Sequence, residues 1–203
     1  MASAAVSGLV LAAGLSQRLG SPKALVELGG ATLLTWACRH LIKAGCSPVV
    51  VVINEHLRPQ PNTLPPNVIT VVNPEPEKGR TGSLQVGLQR LRSLNVHVGR
   101  AVMAPVDRPG WRPSLVRSLL DNGGSACPVG QHGRGHPVVL DEDAIEAVLA
   151  ANADAPLRDL VAFHPVSVVA PWLNLNIDTP QQLEELRTNE HALLAYYAQG
   201  EGI

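Results

Sequence analysis

Residues 49–53 read Val-Val-Val-Val-Ile, five consecutive branched apolar side chains with no polar residue between them. A strand with one wet face alternates apolar and polar positions, so an unbroken run of this kind belongs in the middle of a sheet covered on both sides. Residues 6–12, 68–72 and 99–106 also read as strands. Between them lie segments of helical character. In residues 32–44 the apolar positions Leu33, Leu34, Ala37 and Leu41 recur at helical spacing and Gly45 supplies a stop, and residues 83–94 and 113–120 follow as helices. Later strands are expected at 137–140 and 166–170, with helices at 141–151, 156–161 and 179–197, a Pro-rich loop at 57–67 and a frayed end at 200–203. Alternating strands and helices build an open, mostly parallel sheet with helices on both faces, and such sheets bind ligands at the carboxyl ends of their strands.

The chain has 203 residues and a formal net charge of −1. That length suits one domain, residues 1–203, with a sizeable core, and no internal repeat or linker divides it. Near-neutral charge argues against a nucleic-acid partner, and an aromatic content of 3% leaves little with which to stack single-stranded bases. Cys38, Cys46 and Cys127 form neither a CxxC pair nor an even framework, which fits reduced thiols in a cytoplasmic protein. The first residues lack the basic and apolar regions of a secretory leader and no run is long enough to cross a bilayer, so no membrane partner is expected.

Directly after the first strand, residues 11–23 read Leu-Ala-Ala-Gly-Leu-Ser-Gln-Arg-Leu-Gly-Ser-Pro-Lys. Small side chains at Ala12, Ala13 and Gly14 let a nucleotide approach the main chain, while Arg18 and Lys23 offer positive charge to a polyphosphate. No Gly-Lys-Ser/Thr follows the glycines, so this is not a Walker A loop, and Gly-x-Gly-x-x-Gly is absent as well. An ordinary strand-to-loop connection that carries two cations is the alternative.

This segment resembles the signature loop of the MobA-like nucleotidyltransferases, and within that family it is most similar to the molybdenum-cofactor cytidylyltransferase branch, with Leu19 where the family usually has Met. The resemblance implies a three-layer α/β/α Rossmann-like nucleotidyltransferase fold with a mostly parallel central sheet. It also implies transfer of a nucleotidyl group from an NTP to a phosphorylated small-molecule acceptor, with Mg²⁺ as cofactor and pyrophosphate released. By it Leu11, Ala12, Ala13, Gly14, Arg18 and Lys23 are nucleotide contacts, and Arg18 and Lys23 act on the departing pyrophosphate. Ala-Ala-Gly, where guanylyl-transferring relatives have Ala-Gly-Gly, favours CTP over GTP.

Asp107 follows an apolar strand in Ala-Pro-Val-Asp-Arg-Pro-Gly, which puts a carboxylate at the ligand-binding edge of the sheet. A hard cation takes one or two carboxylates together with phosphate oxygens and waters; the alternative is that Asp107 opens the turn before Pro109. Asp178 stands before Thr179, Pro180 and Gln182, a capping box with Pro at the first helical position, so it could start a helix, hold a metal from a rigid platform, or both. The Val-Asp-x-Pro and Ile-Asp-Thr-Pro segments resemble two further family motifs, whose aspartates imply Mg²⁺ ligation by Asp107 and Asp178 and a catalytic role for Asp107. Relatives often have Gln at the position of Arg108, and a guanidinium there would compete with the ion or steer the acceptor's phosphate.

Residues 78–88 place flexible glycines before a helix and resemble the family's Gly-x-x-x-Ser-Leu-x-x-Gly-Leu element, which implies that Gly82 and Ser83, and with them Arg80, contact the nucleotide. A Ser N-cap after a Gly loop is the structural alternative. Residues 133–137 resemble the Gly-x-Gly-His-Pro element and imply an acceptor-binding role for His136, alongside Arg108. Cys127, His132 and His136 match no common zinc spacing. With the molybdopterin cofactor as the leading acceptor, three other readings stay open: the same transfer to another phosphorylated metabolite or sugar phosphate, a non-catalytic nucleotide-binding accessory protein of a molybdoenzyme, and a redox enzyme on the same fold.

Overall fold

The computed structural model describes residues 6–57, 63–94 and 97–199; residues 58–62 of the Pro-rich loop and the end at 200–203 lie outside the described residues. In chain order the strands are β1 (Val6–Ala12), β2 (Glu27–Leu28), β3 (Ala31–Thr32), β4 (Val49–Ile53), β5 (Val68–Val72), β6 (Arg100–Pro105), β7 (Ala126–Gly130), β8 (Gly133–Arg134), β9 (Val138–Asp141) and β10 (His164–Ser167). The helices are α1 (Leu33–Lys43), α2 (Arg80–Ser93), α3 (Pro113–Leu120), α4 (Glu142–Ala150), α5 (Leu157–Leu160), α6 (Pro180–Thr188) and α7 (Glu190–Ala198).

The main sheet runs β10-β7-β9-β6-β1-β4-β5, with β8 paired to β7. Neighbours β6, β1, β4 and β5 are parallel, as are β7 and β10, and β9 is inserted antiparallel between β6 and β7. This is the mostly parallel sheet with flanking helices that the sequence pattern implies.

Period-two alternation divides each central strand between two cores. Val10, Val49, Val51, Ile53, Val102 and Ala104 face the layer containing α1 and α3. Leu9, Leu11, Val50, Val52, Ala101 and Met103 face the layer of α2 and α4. Both sides are dry, which is why the run at 49–53 carries no polar residue; each fully buried Val is worth roughly 1.5–3 kcal/mol. At Gly87 a Cβ would stand 2.8 Å from Leu9 Cδ2 and 2.9 Å from Val52 Cγ2, so the glycine lets α2 settle directly onto the sheet.

Several boundaries differ from the sequence expectation. Helix α2 begins at Arg80 rather than at residue 83, with Gly79 as its N-cap at φ 104°, a left-handed value that glycine tolerates. Strand β10 sits earlier than residues 166–170 because it pairs in register with β7 from His164 onward. The helix expected over 179–197 is two helices, broken at Asn189, where the φ/ψ pair is −100°/6°. The break lets Leu193, Tyr196 and Tyr197 pack into the core. Tyr197 meets Trp36 at 5.0 Å and His40 edge-on at 4.5 Å between ring centroids. Among the described residues no helix is long and apolar enough to cross a membrane.

Candidate functional site

The chain leaves β1 at Ala12 and folds into a tight loop. Ser16 adopts φ 53° and its carbonyl accepts the amides of Leu19 and Gly20, both at 3.1 Å, while its hydroxyl accepts the Lys23 amide at 3.1 Å. That bond fixes where the lysine emerges. From the neighbouring strand end, Asn54 donates Nδ2 to the Ala13 carbonyl at 3.0 Å and accepts the amides of His56 and Leu57, each at 2.9 Å. The small-residue turn is thus clamped from both sides before any ligand arrives.

One backbone bond and one side-chain bond hold the two aspartate-bearing segments together. The Asp107 carbonyl accepts the Ile177 amide at 2.9 Å, and the Tyr197 hydroxyl donates to the Pro109 carbonyl at 2.6 Å, which ties α7 to the loop after β6. The capping box forms as the sequence predicts: Thr179 Oγ1 accepts the Gln182 amide, and Gln182 Oε1 accepts the amides of Thr179 and Asp178. Asp178 is left with its carboxylate free to face Lys23. Lys23 Nζ donates to Asp178 Oδ1 and lies 3.7 Å from Asp107 Oδ2.

Arg18 adds a second cation, its Nη2 lying 2.6 Å from Asp178 Oδ2. The two basic residues differ in setting: the Lys23 side chain is 14% exposed, that of Arg18 76%. An exposed ion pair contributes little to stability, so Arg18 can turn toward a ligand at small cost, whereas Lys23 is fixed. The Lys23 hydrogen bond holds the Asp178 carboxyl below its ordinary pKa range; burial opposes this, and the charges of Lys23, Arg18 and Arg108 add to it.

Asp107 Oδ1 is buried and makes no hydrogen bond. A buried carboxylate oxygen without a partner is costly, and this one is the atom a hard cation would satisfy. Among the described residues no group of three His, Cys, Asp or Glu side chains could hold an ion. Two carboxylates match the chemistry of Mg²⁺, which keeps waters and phosphate oxygens in its remaining positions. The residues therefore fit a divalent metal that arrives with a phosphate ligand.

A cleft of about 260 Å³ opens at this edge, lined by residues 11–14 of the first loop, Lys23, Arg80, Ser83 and Asp107. Gly82 does not line it; its amide donates to the Ala153 carbonyl at 2.8 Å, and a Cβ there would press on Ala153 at 3.2 Å. Arg18 and Asp178 join the cleft through Lys23. His136 lies apart from it, in the wall of a second chamber that shares Arg80 with the first. Burial, together with the charges of Arg80 and Arg108, pushes the His136 imidazole down to about 4, so it is neutral at pH 7. Arg108 Nη1 is 3.5 Å from the Asn174 carbonyl and makes no ion pair among the described residues.

Residues 8–168 match the MobA-like NTP transferase domain. The chain belongs to that family. Among curated relatives it is 45% identical over 122 residues to a 2-C-methyl-D-erythritol 4-phosphate cytidylyltransferase of Rhodococcus jostii, a match covering 57% of this chain and 50% of the relative. It is 28% identical over 200 residues to the molybdenum cofactor guanylyltransferase of Rhizobium meliloti, covering 87% and 88%. Identity to the nicotine blue oxidoreductase of Paenarthrobacter nicotinovorans is 31% over 168 residues, covering 75% and 79%. The match thus spans half or less of the cytidylyltransferase relatives' own length. The fold recurs in Rv0371C of Mycobacterium tuberculosis, solved in complex with manganese, at TM-score 0.66 and 21% identity over 90% of this chain and 97% of that one.

Within the MobA-like frame, Asp178 lies beyond the matched residues and reaches the site only through the docked C-terminal segment. Two other positioning residues fall in no motif. Asn54 holds the first loop, and Asn73 donates Nδ2 to Ser83 Oγ at 3.0 Å while accepting the Glu75 amide at 2.9 Å. Each is the first polar residue after an apolar strand, β4 and β5 respectively, at the sheet edge where ligands bind, and that placement is the signal by which sequence could have found them.

Proposed function

We propose that the protein is a Mg²⁺-dependent nucleotidyltransferase that moves CMP from CTP to a phosphorylated acceptor, molybdopterin cofactor first among candidates, and releases pyrophosphate. The observation that carries this reading is Lys23 standing between Asp107 and Asp178 at the mouth of the cleft. In the reaction an oxygen of the acceptor's terminal phosphate attacks the α-phosphorus of CTP, the α–β bridging P–O bond breaks, and its electron pair leaves on pyrophosphate. Mg²⁺ held by Asp107 and Asp178 would neutralise phosphate charge and favour in-line geometry.

The chain's own groups do the rest. Residues 11–14 leave room for the nucleotide against the main chain, Ser83 holds its base and ribose end, and Lys23 and Arg18 stabilise charge growing on the leaving group. No covalent enzyme intermediate is needed, and Ser16 is committed to holding Lys23. Ala13 within Ala-Ala-Gly favours CTP over GTP, although relatives of both cytidylyl and guanylyl type exist. Cytoplasmic location and a molybdoenzyme as downstream partner belong to the same reading.

The nicotine blue oxidoreductase relative favours a second reading, redox chemistry on this fold. One screen separates them: pyrophosphate release across four NTPs and a panel of phosphorylated acceptors, run beside nicotinamide oxidation by absorbance. Metal-dependent pyrophosphate release with CTP is the expected result. Nicotinamide turnover without pyrophosphate would replace the transferase reading.

A further inference from the structure

The ammonium of Lys23 stands in the gap between the two carboxylates that suit a metal. Nζ donates to Asp178 Oδ1 and lies 3.7 Å from Asp107 Oδ2. Arg18 covers the other oxygen of Asp178, with Nη2 2.6 Å from Oδ2. Three of the four carboxylate oxygens thus face a cation of the protein's own, and the fourth, Asp107 Oδ1, is buried without a hydrogen bond.

Charge balance points the same way. Arg80 lines the cleft, and Arg108 follows Asp107 in the chain and acts on Asp178 through its charge. With Lys23 and Arg18 they set four positive charges against two negative ones. A bare dication finds no net attraction there, whereas a triphosphate does.

The ammonium can move without disturbing the loop that carries it. The Lys23 amide is tied to Ser16 Oγ at 3.1 Å and the Lys23 carbonyl accepts the Val26 amide at 3.1 Å, so the backbone stays in place. The Lys23 side chain also lines the cleft, and its flexible four-carbon stem lets rotation alone carry the ammonium toward phosphates drawn in there.

We infer that Lys23 is a built-in counter-ion that closes the metal site of the free protein and opens it only when nucleotide phosphates draw the ammonium away. This role rests on the transferase reading above and adds an order to it: metal and triphosphate enter together, and metal by itself is turned away. Lys23 then couples the two ligands, apart from any effect on the leaving group. By reciprocity, each ligand raises the affinity for the other by the same factor.

The test reads binding with no acceptor present, so turnover plays no part in it. Mn²⁺ is titrated by electron paramagnetic resonance into the full chain as parent, Lys23→Met, Lys23→Gln and Lys23→Arg, first without nucleotide and then under saturating CTP. Without nucleotide the parent should bind Mn²⁺ at least about tenfold more weakly than either neutral variant, because a like charge a few Å from a dication weighs that much even in a wet site. Lys23→Arg keeps a cation and should stay close to the parent. Adding Asp107→Asn to Lys23→Met should abolish the gain. Saturating CTP should erase the difference between parent and neutral variants.

Equal Mn²⁺ affinity of parent and neutral variants without nucleotide overturns the role, as does a gain that survives Asp107→Asn or a difference that persists under CTP. The parent supplies a check that needs no variant: Mn²⁺ by itself should leave the rate of Lys23 acetylation, followed by mass spectrometry, unchanged. Faster acetylation would mean that metal evicts the lysine unaided, and the role falls. A parent that releases pyrophosphate yet binds Mn²⁺ without nucleotide as tightly as the neutral variants loses the counter-ion and keeps the transferase reading. The expected affinities with no pyrophosphate release for any NTP keep the counter-ion and lose the reaction.

Discussion

The two cavities of this molecule are charged in opposite styles. In the first cleft, Lys23 and Arg18 are matched by Asp107 and Asp178, and the backbone around them is pinned by Ser16, Asn54 and the Thr179 capping box. In the chamber beyond Arg80 the guanidinium groups of Arg80, Arg134 and Arg158 outnumber their one carboxylate, Asp154, and are largely exposed. The half-buried Lys23 and the two aspartates have had much of their solvation replaced in advance and stand in fixed geometry, which suits chemistry, while exposed Arg18 keeps its freedom to turn. Charges without partners gain most when an anion arrives, which suits recognition.

Lys23→Ala probes the contrast hardest. Because Lys23 is partly buried and bonded to Asp178, its loss should lower kcat by about 10²–10³-fold and also cost roughly 1–3 kcal/mol of stability, read by pyrophosphate release and by urea unfolding. Arg134→Gln in the chamber should move stability by less than about 0.5 kcal/mol. Equal stability losses in the two variants would erase the distinction between fixed and waiting charge.

His136 gives a pH-dependent check on the chamber wall. The folded protein holds this imidazole near pKa 4, while the unfolded chain titrates at about 6.5. As pH falls, the unfolded chain takes up the proton first, so the contribution is complete above about pH 6.5 and is lost between there and about 4. The parent should lose on the order of 2–3 kcal/mol across that window, and His136→Gln should flatten the curve. Parallel stability profiles for the two proteins would place the imidazole in water.

A smaller effect is expected at the loop's clamp. Asn54→Ala leaves the Ala13 carbonyl and the His56 and Leu57 amides without their side-chain partner, at about 1–2 kcal/mol. Since the turn then loosens, KM for nucleotide should rise more than kcat falls, measured by initial rates over a nucleotide series. A kcat effect alone would mean that the turn keeps its shape without the asparagine.

Much of the fold was legible because it rests on strong local signals. The all-apolar run at 49–53 located the sheet centre, and the Thr179–Gln182 pattern announced α6 with its capping box. Strand β7 escaped notice because Pro128 sits inside it, and proline demotes a strand in sequence while in space β7 still pairs with β8, β9 and β10. The break at Asn189 was hidden for a related reason: the flanking residues are helical, and only the packing of Tyr196 and Tyr197 calls for a change of direction. At the site, Lys23, Asp107 and Asp178 stood out through neighbouring small or proline-containing motifs. The chamber did not, because Cys127, Arg134, Leu157 and Phe163 come from separate elements and share no pattern until the sheet assembles.

The bond between Lys23 and Asp178 spans 155 positions of sequence. On the ribosome, the glycine turn and its lysine emerge early, yet the carboxylate they await is made only after every strand of the sheet has been synthesised. A nascent chain therefore carries an unfinished cleft throughout most of its translation, and competence for chemistry arrives together with the docking of the last two helices.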